Sequence, residues 1–263
     1  SNPILQRLRS VKDQIEIDLI QNACNITDKG FRRVLGFVKP GVWEYNIEAE
    51  FIHEFLNNKS KGFAYTPIIA SGNNANVLHY IENNKQCKAG DLILFDVAAE
   101  YANYSSDMSR TIPVSGRFTK RQKAVYEAVN HVKKEATKLL VPGVLWTDYH
   151  FEVGKIMTDQ LLKLKLLDKS DIQNENPDWP AYKKYFMHGT SHHLGLDTHD
   201  YGLIHEPITS NMVFTVEPGI YIPEEGFGIR LEDNVVVLEQ GEPLNLMENI
   251  PIEAEEIEDL MNS

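Results

Sequence analysis

Apolar residues recur at helical spacing over residues 10–37, where Ile15, Leu19, Ala23 and Ile26 predict one long helix. Ser10 is its candidate cap, and Gly36 and Pro40 mark its exit. Ile47, Phe51 and Phe55 share one face of a second helix over 46–58. "TPIIASGNNANVLHY" reads as loop and short strand, while "DLILFDVAAEY" and "SRTIPV" read as paired strands. Two further helices follow, over 119–140 with Thr119 near its start and over 146–164. Residues 168–182, rich in Asp, Asn and Pro, read as a polar connection, and the stretch from "MHGTSHH" to "VVVLEQGEP" as strand and turn.

This order occurs twice. Pro40-Gly41-Val42 leads into Trp43 and a helix, and Pro142-Gly143-Val144 leads into Trp146 and a helix. The first copy continues through His79 to a strand with Asp96 and a return strand with Asp107; the second continues through His192 to Glu217 and then Glu232. The spacing between corresponding residues grows steadily, as insertions in the second copy require. We expect pseudo-repeats over about 10–115 and 120–245 inside one 1–263 domain. The class is α+β, with a curved, mostly antiparallel sheet backed by helices around a pseudo-twofold axis.

The net charge of −12 argues against a phosphate-backbone binder. Lys133, Lys134 and Lys138 read as a solvated helix face. Cys24 and Cys87 make no disulfide framework, and no stretch approaches the roughly 20 apolar residues of a membrane helix. With no signal peptide visible, a cytoplasmic protein is expected, binding neither nucleic acid nor membrane. A start at Ser1-Asn2-Pro3, without Met, leads us to expect further sequence upstream.

Five residues then stand out: Asp96, Asp107, His192, Glu217 and Glu232, each in or beside an apolar, strand-like run. A charge there is expensive to bury unless it is paired or binds a metal. Any one acid alone reads as a cap or salt-bridge partner; paired across the two copies, they read as an oxygen-rich site for two divalent cations. Four acids to one imidazole lean towards Mn²⁺, with Co²⁺ or Zn²⁺ as alternatives. A water between two such ions would lose a proton near neutral pH and could attack an amide carbonyl.

"HGTSHHLGLDTHD" adds His188, His193 and His199. On a strand, His188 and His192 share a face while His193 points away and is structural. Gly189 and Gly195 permit close backbone approach. Histidines beside such a site can hold a carbonyl oxygen or pass a proton to a leaving amine, and His79 joins them by its place in the first copy. Arg230 either orients a neighbouring carboxylate or makes an ordinary salt bridge.

"VLHY", "LILFDVAAEYANYSSDMSRTIPVSGRFT", "HGTSHHLGLDTHD", "FTVEPGIYI" and "GIRLEDNVVV" resemble the pita-bread metallopeptidases, a group that includes aminopeptidase P, prolidase and methionine aminopeptidase. The resemblance covers nearly all of residues 8–258. It implies that Asp96, Asp107, His192, Glu217 and Glu232 are metal ligands, with Asp107 and Glu232 bridging. Asp96 then serves one metal, and His192 with Glu217 the other. It further implies that His79, His188 and His199 handle substrate and protons, that Glu217 helps activate the attacking water, and that Tyr221 and Arg230 support the site.

The likeness is nearest to aminopeptidase P, which releases the first residue from peptides with proline second; prolidase, cleaving Xaa-Pro dipeptides, is the alternative. A non-catalytic interaction module and a creatinase-like amidinohydrolase share the fold, and the intact ligand set argues against both. Ala98 stands where the family has Gly after the first metal Asp, and His193 where it often has a bulky aromatic. We expect residues 1–263 to hold the catalytic domain without the N-terminal domain of aminopeptidase P and prolidase, which often contributes oligomer contacts, so a homo-oligomer stays open.

Overall fold

A computed structural model describes residues 3–263; Ser1 and Asn2, included in the expected 1–263 domain, lie outside the described residues. The helix expected over 10–37 is α2 (Gln14–Leu35), and a separate helix α1 (Pro3–Ser10) ends where it was expected to begin. Ser10 is therefore not the cap. Its hydroxyl donates to the Arg7 carbonyl at 3.1 Å, Val11 pairs with Met212, and Lys12 N donates to Asn211 O at 2.8 Å. These contacts hold residues 11–12 out of the helix, and the cap passes to Asp13, whose N–H donates to Glu16 Oε2 at 2.8 Å. The buried face is also rotated from the expected one. Ile17, Ile20, Ala23, Thr27, Phe31 and Val34 are buried, whereas Ile15 is 64% exposed.

Helix α3 (Glu44–Asn57) crosses α2 at Gly30, where an added Cβ would lie 2.7 Å from Phe55 Cε1. Both helices seat aromatic rings on strand β2 (Leu92–Asp96), with Phe31 and Phe51 edge-on to Phe95 at 6.4 and 5.7 Å. Each buried Phe contributes roughly 1.5–3 kcal/mol of transfer free energy. Strand β2 lies between β1 (Ile68–Ser71) and β5 (Ser109–Pro113), both antiparallel to it, with Ile68 and Ser109 flanking Asp96. The hairpin β3 (Glu100–Tyr101) and β4 (Tyr104–Ser105) links β2 to β5.

The second half repeats this plan. Helices α4 (Lys120–Lys138), capped by Thr119, and α5 (Trp146–Lys163) precede β6 (Val213–Val216), β7 (Gly219–Ile222), β8 (Phe227–Arg230), β9 (Asp233–Val236) and β10 (Leu244–Asn245). Strand β6 pairs antiparallel with β9, placing Val216 opposite Asp233. The other side of β6 is taken by residues 190–194: Glu217 N donates to Thr190 O at 2.7 Å and Thr215 N to His192 O at 3.0 Å. The two Pro-Gly-Val turns match bond for bond. Gly41 and Gly143 have φ of +93° and +91°; Gly41 N donates to Cys87 O, and Gly143 N to Ile208 O. Cys87 N and Ile208 N donate back to Val42 O and Val144 O.

Two expectations change, and the tail adds an element. Residues 168–182 are not a plain connection but contain helix α6 (Lys169–Gln173), whose cap Asp168 accepts from Ser170 N at 2.7 Å. The acidic tail forms α7 (Ala254–Met261), fastened through Ala254 and Ile257. Lys133 is not solvated: it is buried and bonded to Asp233, which also accepts from Arg110 Nη2 at 2.7 Å. Both cysteines are free and buried. No helix among the described residues is long and apolar enough to cross a membrane.

Candidate metal centre

The strands bring their acids to one end of the sheet. Asp96 closes β2, Asp107 stands two residues before β5, Glu217 follows β6, and Glu232 immediately precedes β9. His192 comes from the extended segment beside β6. All five line one cleft of about 180 Å³, together with Leu78, His79, His188, Gly189, His199 and Arg230. Donor atoms of Asp107, His192 and Glu232 lie within 4.8 Å of one another. His192 Nε2 is 3.3 Å from Asp107 Oδ2 and 3.7 Å from Glu217 Oε1.

The His192 tautomer follows from its second nitrogen. Nδ1–H donates to His193 O at 2.9 Å, so Nε2 is the nitrogen that faces the carboxylates. Burial lowers the basicity of this ring, but the hydrogen bond and charge of Asp107, with Glu217, outweigh it and raise its pKa to about 9. Burial also pushes the Glu217 carboxyl up to about 7, and that of Glu232 well above the usual range with help from Asp107 and Glu217. Asp96 is raised by burial, against the opposing charge of Arg230.

Buried oxygens decide whether the residues fit a metal. Asp96 Oδ1 and Glu232 Oε1 have no hydrogen-bond partner among the described residues, and a buried unpaired carboxylate oxygen is costly. Four acids face one another with Arg230 as the only cationic side chain lining the cleft besides histidines. An oxygen-rich set with one imidazole suits hard or borderline divalent cations. The donors fit such a group.

Around the acids the support is dense. Arg230 donates to Asp96 Oδ2 at 2.7 Å, to Ser109 Oγ at 2.8 Å and to the Tyr221 hydroxyl at 2.8 Å. Ser109 Oγ in turn donates to Glu232 Oε2 at 2.7 Å. The Tyr221 hydroxyl donates to His188 Nε2 at 2.8 Å, while His188 Nδ1–H donates to Gly189 O at 2.7 Å. Burial and the nearby Arg230 charge push His188 down to about 4, so it is neutral at physiological pH. Of the two readings of Arg230, the carboxylate-orienting geometry is the one present.

His188 and His192 reach the cleft without the expected strand alternation, because residues 188 and 189 lie outside any ladder. His193 points away, its ring 4.4 Å from that of Phe214, and burial pushes it down to about 3. The His199 ring meets His192 edge-on at 4.3 Å. Its loop is closed by Asp200 N donating to His193 O and fastened by ion pairs from Arg9 and Lys12 to Asp200. The sequence reading missed Tyr65, Ser109 and Asn234. Burial and the charges of Asp107 and Asp96 push the Tyr65 hydroxyl far up. Asn234 fixes the Asp107 backbone, accepting from its N–H at 3.0 Å and donating to its carbonyl at 2.7 Å. Ser109 and Asn234 lie within two residues of predicted ligands, a proximity that could have flagged them; nothing in its surrounding sequence marks Tyr65.

The profile of metallopeptidase family M24 matches residues 18–239. The chain is 39% identical over 272 residues to the Xaa-Pro aminopeptidase of Haemophilus influenzae, covering 99% of this chain and 63% of that protein. It is 37% identical to Xaa-Pro aminopeptidase 3 of Homo sapiens, over 98% of this chain and 52% of that protein. Among solved structures it is similar to zinc-substituted Escherichia coli aminopeptidase P in complex with product: the TM-score is 0.92 at 36% identity, covering 99% of this chain and 61% of the other. The chain thus spans less than two thirds of the length of these relatives.

Proposed function

The chain belongs to metallopeptidase family M24 and has the pita-bread fold, and on that premise we propose that it releases the N-terminal residue from peptides with proline in second position. The observation that carries this reading is the meeting of five metal-donor residues and three histidines in one cleft, with two buried carboxylate oxygens unpartnered. Asp96, Asp107, His192, Glu217 and Glu232 would hold two divalent cations, Asp107 and Glu232 in the positions that the family likeness makes shared; Mn²⁺ is the preferred ion, Co²⁺ or Zn²⁺ the alternatives. When bound, such cations polarise the scissile carbonyl and bring the pKa of an attacking water towards neutrality.

The protein's own groups do the rest. Glu217 lines the cleft beside His192, where its carboxylate can accept the proton of an attacking water. His188, held neutral and oriented by Tyr221 and Gly189, stands at the wall of the cleft. His79 and His199 offer donors for the substrate carbonyl and a proton for the departing proline nitrogen, while His188, its two ring nitrogens engaged by Gly189 O and the Tyr221 hydroxyl, shapes the substrate side of the cleft. Arg230 and Tyr221 hold these groups in place. The matching hydrogen bonds of the two Pro-Gly-Val turns support an origin of the halves, about 10–115 and 120–245, by duplication. We also assign the protein to the cytoplasm and leave a homo-oligomer open.

The test compares the dipeptide Arg-Pro with the tripeptide Arg-Pro-Pro, using Mn²⁺-loaded protein. Release of Arg from the tripeptide, abolished by Asp107→Ala, is the expected result. Cleavage of the dipeptide alone would make the protein a prolidase, and cleavage of neither would remove the enzyme reading.

A further inference from the structure

Glu44, the first residue of α3, is fully buried. Its Oε1 accepts from Ser71 N at 2.8 Å, Ser71 Oγ at 2.7 Å and Asn74 Nδ2 at 3.3 Å. Its Oε2 accepts from the Tyr80 hydroxyl at 2.7 Å and Lys85 N at 2.9 Å. Its own N–H donates to Lys85 O at 2.9 Å. Every one of these carboxylate bonds comes from residues 71–85, and none is an ion pair. A buried side chain whose oxygens are filled by several donors is held in one place and holds those donors in turn.

Residues 71–85 include Leu78 and His79, two of the residues lining the cleft. Beyond β1 the segment has only one short 3₁₀ turn, Gly72–Asn76, and no strand ladder to hold it. Glu44 grips the segment before His79 at Ser71 and Asn74 and after it at Tyr80 and Lys85; further along, Asn83 accepts from Ile69 N and donates to Glu48 Oε2 and Pro67 O, but touches neither side of His79. The far side rests on β8, where an added Cβ on Gly228 would lie 2.8 Å from Ala75 O. His79 itself is exposed to the cleft, so its position depends on these anchors.

We propose that Glu44 is a positioning residue that sets His79 over the carboxylate cluster. The kinetic consequence rests on the peptidase reading above; the mechanical one does not. Small displacements of a group acting on substrate cost up to about 100-fold in rate.

The experiment is a double-mutant cycle of Glu44→Gln with His79→Ala on Mn²⁺-loaded protein, accompanied by amide hydrogen exchange over residues 72–84. Glu44→Gln is expected to lower kcat roughly 10- to 100-fold with Mn²⁺ affinity unchanged, and to add no further loss in the His79→Ala background. Exchange over 72–84 should rise while β2, β5, β6 and β9 stay protected. Tyr80→Phe, which removes one donor and no charge, should show the same pattern with a smaller loss and covers the case of a Glu44 variant that does not fold. Equal loss in both His79 backgrounds, or unchanged exchange over 72–84, overturns the proposal. If the parent protein cleaves no peptide, the peptidase reading fails, and the exchange alone decides the role of Glu44.

Discussion

Arg230 Nη2 donates to Asp96 Oδ2 at 2.7 Å, leaving Asp96 Oδ1 buried and unpartnered beside the other acids. The same guanidinium reaches Glu232 through Ser109, so one side chain orients an acid from each half of the fold. Lysine cannot reproduce this fork, because its ammonium is a single point charge. Arg230→Lys is expected to keep the fold and weaken Mn²⁺ binding roughly 10- to 100-fold, the usual cost of losing such a supporting contact. Titration calorimetry reads this directly; an unchanged affinity would show that the fork orients nothing.

The metal-free chain should lose stability as the solution becomes more alkaline. Glu217 is raised from 4.5 to about 7, chiefly by burial. His192 is raised from 6.5 to about 9: burial opposes the rise, and the hydrogen bond and charge of Asp107 outweigh it. Both groups hold protons more tightly folded than unfolded; His188 and His193, pushed down by burial, act in the opposite sense only below about 6.5, so stability falls as pH rises from about 6.5 through about 9. Cations displace those protons, so Mn²⁺ should raise Tm more at about pH 8 than at about pH 5.5. Melting curves at both values, with and without Mn²⁺, check the sign; a Tm independent of pH in the metal-free protein contradicts it.

Glu232 and Asp233 are adjacent, and their neutral variants should behave oppositely. Glu232 is buried against Asp107 and Glu217 with one oxygen unpartnered. Glu232→Gln is therefore expected to stabilise the metal-free chain at about pH 8 by about 1–2 kcal/mol, a rise of a few degrees in Tm, while weakening Mn²⁺ binding. A fall in metal-free Tm would mark Glu232 as a structural acid.

Asp233 has two buried cations. Burial alone would raise its carboxyl, but Lys133 and Arg110 hold it well below the usual range. Asp233→Asn leaves both cations underpaired, a loss of roughly 3–5 kcal/mol that urea unfolding would measure. A loss below about 1 kcal/mol would mean the network behaves like a surface pair.

Legibility of the sequence followed the contrast between a residue and its surroundings. Asp96 and Glu232 stand out because each interrupts an apolar run, and the structure places them in one cleft with the other donors. Glu44 does not stand out, since an acid in the first turn of an amphipathic helix is ordinary; only the chain path shows what its carboxylate holds. Lys133 reads as a surface lysine in "KKEATK", and it is buried because Asp233, far away in sequence, lies beneath it. Ser10 and Asp13 are both acceptable caps, and pairing of Val11 with Met212 chose between them. Local pattern fixed element type well; boundaries and buried ion pairs depended on long-range contacts.

The most direct test of a two-metal peptidase is the rate of Arg release from Arg-Pro-Pro, measured as Mn²⁺ is titrated into metal-free protein with the bound ion counted per chain. The five donors in one cleft predict a rate that climbs to a plateau as the chain fills to two ions, about the number that bridging carboxylates support. Saturation with no release of Arg, or no binding of Mn²⁺ at all, would contradict the account.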